Sequence, residues 1–211
     1  MIVLYTWTTP NGRKVPIMLE ELGLPYEVRT INIGKDEQFA PEFLKVSPNN
    51  KIPAIIDPDG PAGPLTLFES GAILNYLADK HGQFLAGSGA ERWKTLEWLH
   101  WQIGGLGPML GQYGFFAKRS PVRNPGATER FFAEMGRLFG VLDRRLGESE
   151  YLGGGEYTIA DIAAYPWMTV ATGFLDEFLH ETLADRANIH RWMAAVAARP
   201  AVQRGMQVPQ V

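Results

Sequence analysis

The chain contains no cysteine among its 211 residues. This absence excludes disulfide bonds, thiolate metal sites and any cysteine nucleophile of the protein's own. If the protein performs thiol chemistry, every thiol must therefore arrive with a ligand. The absence of cysteine does not identify the compartment in which the protein works.

Long apolar runs and basic clusters are also missing. No apolar stretch approaches the roughly 20 residues of a membrane span, and the chain opens on a strand-like segment rather than on a signal sequence. The net charge is −3, and no run of Lys or Arg exceeds two residues, so nothing attracts a nucleic-acid backbone. We therefore expect a cytoplasmic protein that binds neither membranes nor nucleic acid.

Metal sites and common phosphate or nucleophile motifs have little support. The histidines, His81, His100, His180 and His190, do not show the spacing of an HExxH zinc site. No Gly-x-Ser-x-Gly elbow occurs, and the Gly-rich segments lack the Gly-Lys-Ser/Thr sequence of a phosphate loop. The sequence therefore predicts no metal centre.

The first eighty residues alternate between strand-like and helix-like segments. Four strands are predicted, from alternation at Tyr26–Ile31 and from short, mainly apolar segments at Ile2–Tyr5, Ala54–Asp57 and Leu65–Phe68. Helices are predicted between or after them, namely one that ends at Gly23, one over Pro41–Val46 and one over Ser70–Lys80. The order is βαβαββα. Pro16 lies inside the first helical pattern, so this helix must start late or bend.

Beyond a Gly- and Ser-rich linker at residues 81–89, every strong signal is helical. The predicted features are a buried stripe at Trp93, Leu96, Leu99 and Ile103 that breaks at Gly104–Pro108, a long helix capped by Asn124-Pro125, a capping box at Thr158–Asp161 and a last helix near Ile189–Ala198. We predict two domains, an α/β domain over residues 1–82 and an all-helical domain over residues 90–211.

The segment around Pro53 carries the most specific local signal. Proline lacks an N–H, so it suits the first residue of a strand. If the Ile52–Pro53 bond is cis, the backbone N–H and C=O of Ile52 point away from the sheet and can pair with a peptide-like ligand. Glu69 closes the next strand, and Ser70 stands where a helix N-cap is expected.

Six motifs in this order resemble the nu class of bacterial glutathione transferases. They are Thr9-Pro-Asn-Gly12, Gln38-Phe39, Ser47 to Pro53, Phe68 to Ile73, Trp101 to Met109, and Leu152-Gly-Gly with Tyr157 to Asp161. Together they span nearly the whole chain. The resemblance implies a thioredoxin-like α/β domain followed by an all-α domain, a symmetric homodimer and glutathione-dependent disulfide-bond reductase activity.

The resemblance also implies which residues bind glutathione. Ile52, before Pro53, would pair with the cysteinyl backbone in the manner of an added strand. Glu69 and Ser70 would hold the γ-glutamyl amino and carboxylate groups at a helix N-terminus. Gln38 would reach the glycyl or neighbouring backbone.

Thr9 and Asn11 are the expected catalytic residues. They lie where the first helix begins and would donate hydrogen bonds to the glutathione sulfur, which favours the thiolate over the thiol. Asn11 would therefore also contact the bound peptide. Arg130, on the long helix of the second domain, matches a position that contributes a cation to bound glutathione in the class.

Each of these residues has a simpler interpretation. Ser70 would serve as an ordinary N-cap without any ligand, and Asn11 could cap the first helix. Gln38 could be a polar loop residue, and Arg130 a solvated helix residue. Asp161, although acidic and prominent, is expected to be a structural cap.

We therefore predict an enzyme that reduces small disulfides through bound glutathione thiols. The expected ligands are one or two glutathione molecules or oxidised glutathione, with no metal, and the partners are small thiols and disulfides. One alternative is a transferase that conjugates glutathione to electrophiles, and another is a non-catalytic glutathione-fold binding module. Generic aromatic residues, Tyr113, Phe115, Phe116 and Trp167, are expected to form the second wall of the pocket.

Overall fold

The computed structural model describes the whole chain, Met1–Val211. Its residues form two compact units, residues 1–87 with residues 197–211, and residues 88–196. The last fifteen residues, which the sequence placed in the helical domain, therefore cluster with the first unit. No helix is both long enough and apolar enough to cross a membrane.

The first unit is built on a four-stranded sheet. Its strands are β1 (Ile2–Thr6), β2 (Tyr26–Thr30), β3 (Ala54–Asp57) and β4 (Leu65–Phe68). They lie in the order β2-β1-β3-β4, with β1 and β2 parallel and the other pairs antiparallel. All four predicted strands are confirmed to within one residue.

The helices follow the predicted alternation in the first unit and continue through the second. The α-helices are α1 (Pro10–Glu21), α2 (Pro41–Leu44), α3 (Ser70–His81), α4 (Gly89–Trp101), α5 (Gly107–Gly114), α6 (Pro125–Glu148), α7 (Ile159–Ala171), α8 (Asp176–Ala184), α9 (Ala187–Ala197) and α10 (Pro200–Gly205). Short 3-10 turns lie at Ile33–Lys35 and Glu37–Phe39, and π-helical turns at Gln102–Leu106 and Phe115–Arg119. The predicted fold class, an α/β domain followed by helices, is confirmed.

Pro16 neither delays nor ends α1, which runs from Pro10 through Pro16 to Glu21. A proline at this position cannot donate to the carbonyl of Gly12, four residues earlier. The hydroxyl of Thr6 replaces that donor, because its Oγ1 donates to the Gly12 oxygen at 2.8 Å. The strand β1 thus supports the first turn of α1.

The C-terminal helix α10 packs on α1 within the first unit. A Cβ on Gly205 would lie 2.5 Å from the Ile17 Cα, so the two backbones approach too closely for any larger residue. Next to this contact, Arg199 Nε donates to Glu21 Oε1 at 2.6 Å, and the Glu21 side chain is 7% exposed. A glycine contact between segments so far apart in the chain has no local sequence signal.

The predicted buried stripe of α4 is confirmed at Leu99 and wrong at Trp93. Trp93 is 69% exposed, and the buried positions are Thr95 and Leu99, followed by Gln102 and Leu106. The predicted break at 104–108 is also wrong, because the helix continues through the π-helical turn at 102–106 into α5. The predicted stripe contained only apolar residues, whereas the polar Thr95 and Gln102 also face the core.

The long helix and the capping box of the second unit are confirmed. The Asn124 side chain accepts from the Ala127 amide at 3.0 Å and caps α6, whose buried face contains Met135 and Leu142. At α7, the Thr158 amide donates to Asp161 Oδ2 at 2.9 Å. Helix α6 ends at Glu148.

Candidate active site

The strand register brings three separate segments to one edge of the sheet. Ala54, the first residue of β3, pairs with Tyr5 near the end of β1 and with Phe68 at the end of β4. Pro53 therefore lies beside Glu69, the residue that follows β4. Helices α1 and α3 start just after β1 and β4, so both N-termini lie at this edge as well. We call the region formed by residues 7–11, 52–53 and 69–70 the cis-proline edge.

The Ile52–Pro53 peptide bond is cis, as the sequence analysis considered. The Ile52 backbone N–H and C=O make no hydrogen bond within the chain. The Ile52 side chain is half-buried and packs against a core cluster that includes Tyr5 and Phe43. A side chain held in the core beside an unpaired backbone donor and acceptor suits the binding of an extended peptide.

The start of α1 is capped by Thr9. Its Oγ1 accepts from the Gly12 amide at 3.0 Å, which leaves the hydroxyl hydrogen able to donate to a ligand. The simpler interpretation of Asn11 as the cap is therefore wrong, since Asn11 is the second residue of the helix and half-buried. Gly12 permits this turn, because a Cβ there would lie 2.1 Å from the Trp7 carbonyl oxygen.

The start of α3 differs from the prediction. Glu69, not Ser70, holds the N-cap position, and no side chain caps the helix. Glu69 adopts φ 72°, a backbone conformation that costs a residue with a side chain about 1–3 kcal/mol and is concentrated at functional sites. The exposed Glu69 carboxylate accepts from Asn49 Nδ2 at 3.4 Å instead of closing the helix. The first turn of α3 therefore presents backbone N–H groups that no side chain caps.

Lys14 is a buried member of the site that the sequence analysis missed. Its residue exposure is 1%, and its Nζ donates to Ser70 Oγ at 3.3 Å. Burial lowers the pKa of Lys14 to about 7, and the negative charge of Glu69 acts in the opposite direction. A sequence signal did exist, because Lys14 lies four residues before Met18 and therefore on the apolar face of α1.

Gln38 makes no hydrogen bond or ion pair with these residues, and Arg130 belongs to the second unit. Gln38 lies in the 3-10 turn at Glu37–Phe39, where its Nε2 donates to Asp36 Oδ1 at 3.4 Å. Its Oε1 is buried and has no hydrogen-bond partner. Arg130 lies on α6 in the second unit and is exposed. The roles that the sequence analysis gave to both residues stay predictions.

The second unit contains an open cavity of about 520 Å³ with aromatic walls. Tyr113 and Phe116, two of the four aromatic residues expected to line a pocket, lie on it together with Phe132 and Phe178. Phe115 and Trp167 do not line it. Sequence reasoning could therefore identify an aromatic region, but not which rings face the same space.

The chain matches the family models of two domains. Residues 8–80 match the glutathione S-transferase N-terminal domain, and residues 106–200 match the glutathione S-transferase C-terminal domain. Among curated proteins, the chain is 47% identical over 213 aligned positions to the disulfide-bond oxidoreductase YfcG of Escherichia coli, covering 100% of this chain and 97% of that protein.

Solved structures give the same assignment. A glutathione transferase family member from Pseudomonas fluorescens, with two glutathione molecules bound, superposes with a TM-score of 0.94 at 51% identity over 99% of this chain and 93% of that one. A glutathione transferase from Pseudomonas putida, with one glutathione disulfide bound per subunit, also gives 0.94 at 45% identity over 99% and 91%. The predicted family is confirmed, and the chain belongs to the glutathione S-transferase family.

Proposed function

We propose that the protein binds glutathione along the cis-proline edge and uses its thiol to reduce small disulfides. The observation that carries this proposal is the uncapped N-terminus of α3 beside the unpaired backbone of Ile52. A helix N-terminus favours a carboxylate, and an unpaired peptide group favours an extended peptide. Glutathione offers both. Relatives with glutathione or its disulfide bound support the choice of ligand.

The reaction needs two glutathione thiols, because the chain supplies no cysteine. The first thiolate attacks one sulfur of the substrate disulfide, which breaks the S–S bond and releases the other half as a thiolate. The second glutathione attacks the mixed disulfide and releases the remaining thiol. The balance is one disulfide and two glutathione molecules converted to two thiols and one glutathione disulfide. Glutathione is a substrate here.

Thr9 and Asn11 would stabilise the attacking sulfur. Both lie in or beside the first turn of α1, where a hydroxyl hydrogen and a side-chain amide can donate to an anion. Favouring the thiolate lowers the pKa of the thiol and raises the fraction of the nucleophile that is ready to react. Gln38, with its unpartnered buried Oε1, and Arg130 would bind other parts of the peptide.

Turnover with two substrate classes tests this function against its main rival. With glutathione present, we expect faster turnover of a small disulfide such as hydroxyethyl disulfide than of a halo-aromatic electrophile. Faster conjugation of the electrophile would favour a conjugating transferase. Glutathione binding with no turnover of either substrate would indicate a non-catalytic binding module.

Binding of oxidised glutathione tests the two-thiol step. We expect calorimetry to show that oxidised glutathione binds at least as well as the reduced form, because it carries both sulfurs of the second step. Thiol-alkylating reagents applied without glutathione should leave the activity intact, since the chain has no thiol to modify. No binding of oxidised glutathione would contradict the two-thiol mechanism.

We also propose a symmetric homodimer and a cytoplasmic location. The dimer follows from family membership, and a twofold axis would use one surface patch twice. Light scattering at micromolar concentration should return about twice the chain mass of 23.5 kDa. A mass equal to that of a single chain would contradict the dimer.

A further inference from the structure

We propose that Lys14 is a positioning residue of the glutathione site, which acts through Ser70 and takes up a proton when the γ-glutamyl carboxylate binds. This inference rests on the proposed function, because it needs a carboxylate at the N-terminus of α3. It adds a residue to the site and couples ligand binding to pH.

The location of Lys14 is unusual for an ammonium group. The residue is 1% exposed, on the face of α1 that also buries Val15 and Met18. Lysine is almost never fully buried unless it is paired, because its charged form loses hydration. Its Nζ donates to Ser70 Oγ at 3.3 Å, and Ser70 is itself 6% exposed. The amine is therefore held behind the hydroxyl that begins α3.

The protonation state of Lys14 controls what the Ser70 hydroxyl can do. A neutral amine has a lone pair and can accept the Ser70 hydrogen, whereas an ammonium group can only donate. Once Lys14 is protonated, the Ser70 oxygen accepts from Nζ and its own hydrogen becomes available to a ligand carboxylate. The uncapped amides of α3 favour the same anion.

Binding of a carboxylate should therefore draw a proton from the solvent onto Lys14. Without ligand, burial lowers the pKa of Lys14 to about 7, so the neutral and charged forms are both populated near neutrality. A ligand carboxylate beside Ser70 adds a negative charge, which favours the ammonium form. By linkage, the protonated protein must then bind the ligand more tightly than the neutral one.

Lys14 is surrounded by other charged and titratable groups on α1 and on the elements packed against it. Glu69 is the group whose charge raises the pKa of Lys14. The remaining charged or titratable residues on α1 and on the elements packed against it are Arg13, Glu20 and Glu21 on α1, Tyr5 on β1, Tyr76, Asp79, Lys80 and His81 on α3, and Arg204 on α10 with Arg199 at its N-cap. Glu20 and Glu21 lie at the far end of α1 and pair with Arg204 and Arg199, respectively.

Calorimetry with S-methylglutathione provides the test, because its sulfur cannot ionise. Titrations from pH 6 to 8, in buffers of different ionisation enthalpy, measure both affinity and proton uptake. If the ligand raises the pKa of Lys14 by one unit, affinity should fall about fivefold between pH 6 and pH 8, with net proton uptake. In Lys14→Met the uptake from this residue should vanish and the pH profile should flatten. Lys94→Met, an exposed lysine of the second unit, is the matched control.

Three further measurements separate a positioning role from a structural one. Ligand-free Lys14→Met should unfold at the same temperature as the wild type or higher at pH 7, because a buried ammonium group has been removed. Lys14→Arg should restore affinity without restoring the pH dependence, since a guanidinium stays charged. In a Ser70→Ala background, Lys14→Met should cost less affinity than in the wild type.

The proposal is overturned if Lys14→Met keeps the wild-type pH profile and proton uptake. Equal affinity losses with and without Ser70 would also overturn it, because Lys14 would then not act through that hydroxyl. If the wild-type protein does not bind S-methylglutathione at all, the proposed function fails first, which is a distinguishable result.

Discussion

At the N-terminus of α7, Thr158 and Asp161 satisfy the backbone from within the chain, whereas at the N-terminus of α3 no side chain does so. Asp161 is fully buried and accepts from the amides of Thr158 and Leu152, each at 2.9 Å, and from Trp192 Nε1 at 2.8 Å. The exposed Glu69 side chain accepts instead from Asn49 at 3.4 Å.

The difference between these two helix N-termini distinguishes a structural cap from a candidate ligand-binding site. Both segments place a hydroxyl residue and an acid at the beginning of a helix, and both suggest an N-cap when the sequence is considered alone. We call the N-terminus of α7 the closed start, because side chains of the chain itself accept from its amides; it contributes to folding and leaves no donor for a ligand. We call the N-terminus of α3 the open start, because no side chain caps it. It follows a residue with positive φ, Glu69, and can receive a ligand.

Asp161→Ala should give the largest change in stability, because it removes the side chain that accepts hydrogen bonds at the N-terminus of α7. It leaves three buried N–H groups without their acceptor, so we expect the free energy of unfolding to fall by about 3–5 kcal/mol. Denaturant unfolding measures this change. Asp176→Ala, an exposed acid on α8, is the control and should change little. If Asp161→Ala lowered turnover while leaving stability unchanged, Asp161 would belong to the active site.

The pH dependence of stability tests Lys14, the buried residue beside the N-terminus of α3. The pKa of Lys14 is about 7 in the folded protein and 10.5 without burial, so between these values the unfolded chain holds a proton that the folded protein lacks. Stability should therefore rise with pH in this window, by at most about 1.4 kcal/mol per pH unit. Unfolding of wild type and Lys14→Met at pH 7, 8 and 9 isolates this contribution. A constant difference between the two proteins would contradict the lowered pKa.

Asn11→Ala should lower turnover more than glutathione binding. A donor to the sulfur acts on the thiolate, so its loss should reduce turnover by about 10- to 100-fold, which corresponds to roughly 1–3 kcal/mol. Steady-state kinetics with a small disulfide and calorimetry with glutathione separate the two effects. Asn32→Ala, which removes the cap of an exposed 3-10 turn, serves as the control. Wild-type turnover in Asn11→Ala would contradict the assignment of Asn11 as a donor to the glutathione sulfur.

The pair Thr158→Ala and Ser70→Ala should give the smallest but most direct contrast. Thr158→Ala removes a cap and should lower stability by about 1 kcal/mol without weakening glutathione binding. Ser70→Ala removes no cap and should weaken binding about tenfold, with a smaller loss of stability. Thermal unfolding and calorimetry on both variants provide the comparison. The reverse pattern would show that the closed and open starts have been assigned to the wrong helices.

Much of this molecule could be predicted from local patterns. Strand periodicity identified β1 to β4, and the Asn124 and Thr158 caps were identified because a cap bonds to amides only two or three residues away. Pro53 was identified because proline lacks an N–H, and Glu69 because it closes a strand and matches a motif of the family that the sequence resembles. The prediction failed where a pattern mixed polar and apolar positions, as in α4, since Thr95 is buried although it is polar.

The remaining features depend on residues that are distant in sequence. Pro16 is tolerated inside α1 because the Thr6 hydroxyl of β1 donates to the carbonyl that proline leaves unpaired. Lys14 and Ser70 are 56 positions apart in the sequence and meet only in the folded protein, where burial lowers the pKa of Lys14. Periodicity and capping act over a few residues and can be read along the chain. Burial and long-range hydrogen bonds arise when separate elements pack, so they became visible only in the folded structure.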